Sequence, residues 1–240
     1  MLRKKLFKQH SNKESEKRHE VFRVEALSDA VFAFSVSLLI ISLEVPNTFD
    51  ELKATIHNFI PFFATVALVF FFWYLQNEYF RNYGLNDGKV IFLNLALLAL
   101  ILFYAFPLKF LFTLLLSWFT GISFFSEVSK EGESILTQDQ FPELIVFFSI
   151  GYAIIWFIFY LLYHHTFQKR KALELNPVET AYLRNQRLDA FVQVLIGVLS
   201  MFFSLIGLPL LSGLCFLLLP VWLLVNNYQF KKKVKAASVK

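Results

Sequence analysis

Four polar side chains stand at the head of a long apolar segment near the N-terminus. Arg23, Glu25, Ser28 and Asp29 are followed by an uncharged stretch from Ala30 to Leu43. As a helix this stretch rises about 21 Å, less than the roughly 30 Å of a bilayer core. The helix is therefore expected to begin before Asp29. Charged side chains carried into a membrane usually face a bundle interior or water and find polar partners, so the pattern predicts a polar network that ties the cytoplasmic end of this helix to its neighbours.

A simpler interpretation of the same residues stays open. Ser28 and Asp29 are good N-cap residues, and the Arg23 side chain could extend to the lipid headgroups. The length argument counts against it, because a helix capped at Asp29 would be too short to cross a membrane.

The residues that carry enzyme chemistry are sparse and poorly arranged. His164 and His165 are adjacent, so on a helix they point about 100° apart and do not form the paired face of a zinc protease. The single cysteine, Cys215, lies in an apolar run. No G-x-S-x-G or Walker-type loop occurs. The chain is not expected to be an enzyme, to bind a metal or to hold a cofactor.

The composition is that of a membrane protein. Hydrophobic residues make up 57% of the 240 residues and charged residues only 17%, well away from the soluble average. The net charge of +5 is therefore interpreted as membrane topology, and no nucleic-acid partner is expected.

Six apolar segments are each long enough, with modest extension, to cross a bilayer as helices. The predicted fold is an all-α integral membrane protein, with a basic N-terminal segment at 1–22, a membrane domain at 23–227 and a basic tail at 228–240. The predicted helices are 23–45, 57–77, 89–107, 141–163, 186–206 and 208–227.

Basic residues set the predicted orientation. They cluster before the first segment, in the tail and in the connection after the fourth segment, whereas the long connection after the third segment carries mostly Glu and Asp. The positive-inside rule then places both termini in the cytoplasm. The basic residues of the connection after the fourth segment and the start of the fifth are Lys169, Arg170, Lys171, Arg184 and Arg187.

Two stripes run along the membrane part of the first helix. Helical spacing places on one face Ala30, Phe34, Ser37 and Ile41, with Leu38 at its edge. An adjacent face carries, at every seventh position, Ser28, Ser35 and Ser42. Periodicity alone favours ordinary helix packing for both stripes.

The opening segment resembles the R-x-x-x-F-S-D signature of the transmembrane protein 175 potassium channels, called lysosomal potassium channels in animals. Arg23, Ser28 and Asp29 match that signature, and Leu27 stands in place of the usual Phe. The segment is also similar to the family's first helix through its terminal Val-Pro.

Two further motifs support the resemblance. The second segment is similar to the family's W-x-x-H pattern, with Trp73 in place and Gln76 instead of His. The third resembles the family's Asn-containing helix that ends in proline, with Asn94 and Pro107. The remainder of the chain agrees with the family in helix count and topology.

The resemblance implies six helices per repeat and four repeats around one pore. A chain with one repeat resembles the prokaryotic type, a homotetramer in the bacterial inner (plasma) membrane that passes potassium ions. The family lines its pore with the first helix, and its apolar constriction falls here on Phe34, on Ser37 or Leu38 one turn later, and on Ile41. These residues belong to the stripe that helical periodicity places on one face of the first helix. Because the resemblance and the periodicity select the same face, we interpret it as pore lining and not as ordinary helix packing.

The polar motif residues are interpreted as a structural network that braces the pore helix. Its members are Arg23, Ser28, Asp29, Trp73, Gln76 and Asn94. Gln76 does not titrate, so a pH response mediated by the family's histidine would be missing here. Phe34 is bulkier than the family's usual aliphatic residue, and no carbonyl filter of the Thr-Val-Gly-Tyr-Gly kind occurs in the chain.

A secondary transporter of a small solute or ion is the main alternative. Carriers usually place carboxylates or broken helices near the membrane midplane. The predicted helices have no acid or base away from their ends, although Gly and Pro interrupt the last two.

Overall fold

The computed structural model describes residues 22–41, 46–121 and 140–216, together with residues 218, 221–222 and 225–226. All the elements within these residues are helices: α1 (Arg23–Ile41), α2 (Phe49–Tyr83), α3 (Gly88–Thr120), α4 (Gln140–Gln168), α5 (Pro177–Leu205) and α6 (Pro209–Cys215).

The start of α1 confirms the length argument. The helix begins at Arg23, so Asp29 lies within its second turn and not at its N-cap. Its 19 described residues rise about 28 Å, close to the thickness of a bilayer core. Residues 42–45, which include Ser42 and the predicted end of this helix, lie outside the described residues.

Local capping signals extend α2 and α5 beyond the predicted membrane segments. Thr48 and Glu51 form a capping box that starts α2 at Phe49, well before the predicted 57. Asn176 and Glu179 form a second box that starts α5 at Pro177, before the predicted 186. Gly84, with a φ of 56°, ends α2 in the left-handed conformation that glycine tolerates.

The predicted end of the third helix at Pro107 is wrong. Asp87 caps α3 by accepting a hydrogen bond from the Val90 N–H, and the helix continues through Pro107 to Thr120, where Gly121 closes it. A proline inside a helix removes one backbone hydrogen bond. In an apolar segment no water is present to bond the backbone groups, so the residues on either side of the proline keep their helical hydrogen bonds. The helix therefore continues past Pro107.

Five of the described helices are long and apolar enough to cross a membrane: Arg23–Ile41, Phe59–Tyr83, Gly88–Ser117, Gln140–Gln168 and Pro177–Leu205. The predicted sixth helix, 208–227, begins with the short α6. Within that range, residues 217, 219–220, 223–224 and 227 lie outside the described residues, as do 1–21 and the tail at 228–240.

The chain divides into two compact units, Met1–Phe92 with Ala105–Phe124, and Leu93–Tyr104 with Phe125–Lys240. In the first unit α1 packs against α2, and in the second α4 packs along α5 while α6 contacts both.

Small and hydroxyl-bearing residues line the contact between α4 and α5. A Cβ added at Gly197 would lie 3.0 Å from the Cβ of Ala153, so the two helices approach closely at this point. The hydroxyl of Ser200 lies 2.9 Å from those of Ser149 and Ser212, and all three serines are buried. Close approach and internally satisfied hydroxyls are the means by which helices associate in lipid, where the hydrophobic effect gives no advantage.

Gly151→Ala is expected to destabilise the second unit by about 1–3 kcal/mol, because an added methyl group overpacks the contact with Tyr104. The new Cβ would lie 1.9 Å from Cζ of Tyr104, whose hydroxyl donates a 3.0 Å hydrogen bond to the carbonyl of Phe147. Thermal unfolding in detergent measures the loss. Gly88→Ala, which adds a methyl group to open space, is the matched control and should not lower the melting temperature. Equal melting temperatures for both variants would contradict this account.

Candidate functional site

One face of α1 is buried against the rest of the chain. Its residues follow a single helical stripe: Val24, Ser28, Phe32, Ser35 and Leu39. This face includes two of the three serines of the predicted small-residue stripe, and both are fully buried.

The predicted pore face lies on the other side of the helix. Phe34 is 54% exposed and Ile41 is 75% exposed, while Ser37 and Leu38 are exposed as well. The structure therefore leaves the proposed pore residues on a surface that the described part of the chain does not cover. A large exposed apolar surface of this kind marks a contact with lipid, another protein chain or a functional cavity.

The hydroxyls of α1 are satisfied within the helix. Ser28 and Ser35 donate to the carbonyls of Val24 and Val31, at 2.7 and 2.8 Å. On the exposed face, Ser37 donates to the carbonyl of Ala33 at 3.0 Å. A serine that uses its hydrogen in this way still has free lone pairs on its oxygen, so Ser37 presents an acceptor to whatever lies beside the helix.

A hydrogen bond between side chains joins α1 to α2. Nε1 of Trp73 donates to Oδ1 of Asp29 at 2.7 Å. The bond links residues far apart in sequence, and its acceptor is an ionisable group, which makes it stronger than a bond between neutral groups. The structure thus brings together two of the six residues predicted to form the polar network.

The other four predicted members differ in their burial. Ser28 and Gln76 are buried in the same unit as Asp29. Arg23 is exposed at the first residue of α1, and it forms no ion pair with the described residues. Asn94 is fully buried and belongs to the second unit.

Glu25, the remaining charge at the head of α1, has a local role. Its Oε1 accepts a hydrogen bond from the backbone N–H of Phe22 at 3.3 Å. A carboxylate in the first turn also interacts favourably with the N-terminal end of the helix dipole. Glu25 is therefore satisfied within its own helix turn.

A second polar cluster in α5 escaped the sequence analysis. Oδ1 of Asp189 accepts from Nε1 of Trp222 at 2.9 Å and from the amide of Asn226. Its Oδ2 accepts from the amide of Asn185 at 3.3 Å. The available signal was an Asp-Ala pair at the head of an apolar run, as at Asp29.

Neither cluster has the composition of a metal site. Among the residues that the structure describes, no group of three or more His, Cys, Asp or Glu side chains could hold a metal ion. Each cluster consists of indole or amide donors around a single carboxylate, an arrangement that suits the support of a helix.

Comparison with known proteins gives consistent matches. The model of the family described as "Endosomal/lysosomal potassium channel TMEM175" matches residues 23–107, which contain all three sequence motifs. A protein of Marivirga tractuosa named "Potassium channel" is 32% identical over 217 residues, covering 88% of each chain.

Solved structures give the same answer for the fold. The potassium channel MtTMEM175, solved as a variant in complex with a nanobody–MBP fusion, superposes with a TM-score of 0.77 at 30% identity, over 89% of this chain and 95% of that one. A Chamaesiphon minutus homologue of the lysosomal potassium-selective channel TMEM175 superposes with a TM-score of 0.55 at 21% identity, over 85% of this chain and 97% of that one. Because its sequence identity is only 21%, the similarity to this second structure shows the fold alone.

Trp73→Phe is expected to lower the stability of the first unit by about 0.5–1.5 kcal/mol, because it removes the donor to Asp29 while keeping an aromatic ring. Thermal unfolding in detergent measures the change. The control is Tyr74→Phe, which removes a polar group from an exposed ring on the same helix. In an Asp29→Asn background the effect of Trp73→Phe should shrink, and equal effects in both backgrounds would show that the bond contributes nothing.

Proposed function

The chain belongs to the TMEM175 family of potassium channels, and we propose that it forms a potassium-permeable channel. In this proposal six helices cross the plasma membrane, both termini are cytoplasmic, and four copies assemble around a central pore lined by α1. The names of the similar proteins, the sequence motifs and the basic residues at the predicted cytoplasmic ends support it.

The observation that carries the proposal is the two-faced character of α1. One face is buried in its own subunit, and the opposite face exposes Phe34, Ser37 and Ile41. A helix next to a central axis needs this arrangement, because one side holds it in the subunit while the other faces the axis. The exposed face also mixes large apolar groups with a hydroxyl acceptor, which suits a narrow pore better than a purely apolar contact with acyl chains.

Phe34 is proposed to form the closed gate. In a tetramer, four copies of this half-exposed ring would form an apolar constriction, and such constrictions block ions by excluding water. Leu38 and Ile41 would extend the apolar lining by about two turns. A small rotation or shift of α1 would move the rings away from the axis and let water in.

Ser37 is proposed to contact the permeating cation. Its hydrogen is donated to the Ala33 carbonyl, so the oxygen remains available as an acceptor. Four such oxygens could replace part of the hydration shell of a potassium ion. Selectivity would then depend on pore width and on these hydroxyls, with no carbonyl filter.

The bond from Trp73 to Asp29 is proposed to set the position of α1. It fixes the rotation of the helix near its cytoplasmic end, and therefore which residues face the axis. Gating motions of α1 would either pivot about this bond or break it. Ser28, buried beside Asp29, keeps the helix close to its own subunit.

Phe34→Ala is expected to raise potassium flux several-fold, because it removes the apolar ring that excludes water. The measurement is potassium efflux from liposomes that contain the purified protein. Phe70→Ala is the matched control: it removes the same side chain from an exposed position on α2 and should leave the flux unchanged.

Two results would contradict the proposal. If the potassium flux of Phe34→Ala is unchanged while detergent sizing shows intact subunit assembly, Phe34 does not close the ion path. Flux that saturates at low turnover and needs a counter-substrate would instead identify a secondary transporter.

A further inference from the structure

A groove with a volume of about 440 Å³ lies between the end of α4 and the start of α5. Both helices belong to the second unit, and this end of each helix is the predicted cytoplasmic end. The residues that line the groove are Tyr160, His164, Arg184, Arg187, Leu188 and Phe191.

Two arginine side chains at this end of α4 and α5 pack against one aromatic ring. The guanidinium groups of Arg170 and Arg187 each lie 4.4 Å from the ring centre of Phe167. Arg170 also donates to the Phe167 carbonyl at 2.9 Å, and it is not among the residues that line the groove. Stacking on a ring orients a guanidinium while leaving its in-plane N–H groups free to bind an anion.

The positive charge of the groove is not neutralised by the described residues. Neither Arg184 nor Arg187 forms an ion pair with a carboxylate in that part of the chain. Arg184 is exposed and also lines an adjoining hollow next to Phe167 and Pro177. Arg187, which is oriented by Phe167, and Arg184 both line the groove, and arginine binds the oxygens of a phosphate group in a bidentate manner.

An apolar surface continues from the groove along the membrane-crossing part of both helices. On α5 the large exposed side chains follow one face: Leu188, Phe191, Leu195, Val198 and Phe202. On α4 the corresponding exposed residues are Ile150, Ile154 and Phe157. A free anion would gain nothing from this surface, whereas the acyl chains of a lipid would cover it.

We propose that this groove binds an anionic phospholipid. The phosphate of the headgroup contacts Arg184 and Arg187, and the acyl chains lie along the exposed face of α4 and α5. The predicted orientation places the site at the cytoplasmic leaflet, where anionic lipids accumulate and basic pockets between helices recognise their headgroups. The proposal concerns a surface remote in sequence from α1, and it holds whether or not the chain conducts potassium.

The test is native mass spectrometry of the purified full-length protein titrated with phosphatidylglycerol or with phosphatidylcholine. The double variant Arg184→Gln/Arg187→Gln is expected to bind phosphatidylglycerol about 25-fold more weakly, since each basic residue near an anionic lipid surface contributes roughly a factor of five. Arg81→Gln/Lys171→Gln removes the same charge from exposed positions outside the groove, and its binding should be unchanged. Phosphatidylcholine should bind all three proteins equally.

Three results would overturn the proposal. The first is equal phosphatidylglycerol binding by the two double variants. The second is displacement of the bound lipid by millimolar inorganic phosphate, which would identify a site for a free anion. The third is a smaller assembly for Arg184→Gln/Arg187→Gln in detergent sizing, which would show that this face contacts a second copy of the chain.

Discussion

The first helix buries one of its faces against the described part of its own chain, and the hydrogen bond from Trp73 to Asp29 joins it to α2. A carboxylate near a membrane boundary is costly without a donor, so the bond and the helix orientation support each other. Once Ser28, Ser35 and Phe32 are turned inward, Phe34 and Ser37 must turn outward. The proposed pore depends on this constraint more than on any single pore residue.

The same solution for a carboxylate occurs twice among the described residues. Asp29 in α1 and Asp189 in α5 each stand near the predicted cytoplasmic end of an apolar helix, and each accepts a hydrogen bond from a tryptophan N–H. An indole ring combines a donor with a large apolar body, so it satisfies a carboxylate while its other atoms remain among apolar neighbours. Hydroxyl groups also find hydrogen-bond partners within the protein. The serines of α1 donate to carbonyls of their own helix, and serine hydroxyls of α4 and α5 bond to each other.

The sequence predicted the five long apolar helices of the described residues, but most of their ends differ from the prediction. Hydropathy identifies the part of a helix that crosses lipid, whereas the ends are set by caps such as Thr48 with Glu51, which lie outside the apolar window. The start of α1 was an exception, because a bilayer has a definite thickness and Asp29 left too few uncharged residues. Pro107 misled the prediction because proline is a reliable helix end only where water can satisfy the freed backbone groups.

The candidate site was accessible to sequence reasoning only in part. Spacing placed Phe34, Ser37 and Ile41 on one face, and the structure leaves that face exposed. Spacing does not determine whether such a face meets lipid, water or another subunit, because all three accept exposed apolar residues. Motif resemblance placed Trp73 in the same predicted network as Asp29, and the structure shows that the two are bonded. The Asp189 cluster was missed because its partners are brought together by tertiary packing.

The central claim is that the exposed face of α1 lines an aqueous path, and cysteine accessibility tests it most directly. Cys215 is the single cysteine, so Cys215→Ser gives a background for introducing one cysteine at a time. Ser37→Cys and Ile41→Cys in liposomes are predicted to react with a charged, membrane-impermeant thiol reagent and to lose potassium flux on labelling, while Phe70→Cys remains unlabelled. If the cysteines at 37 and 41 stay unreactive and contact acyl chains, as judged by quenching of an attached fluorophore by brominated lipids, the first helix does not line the pore.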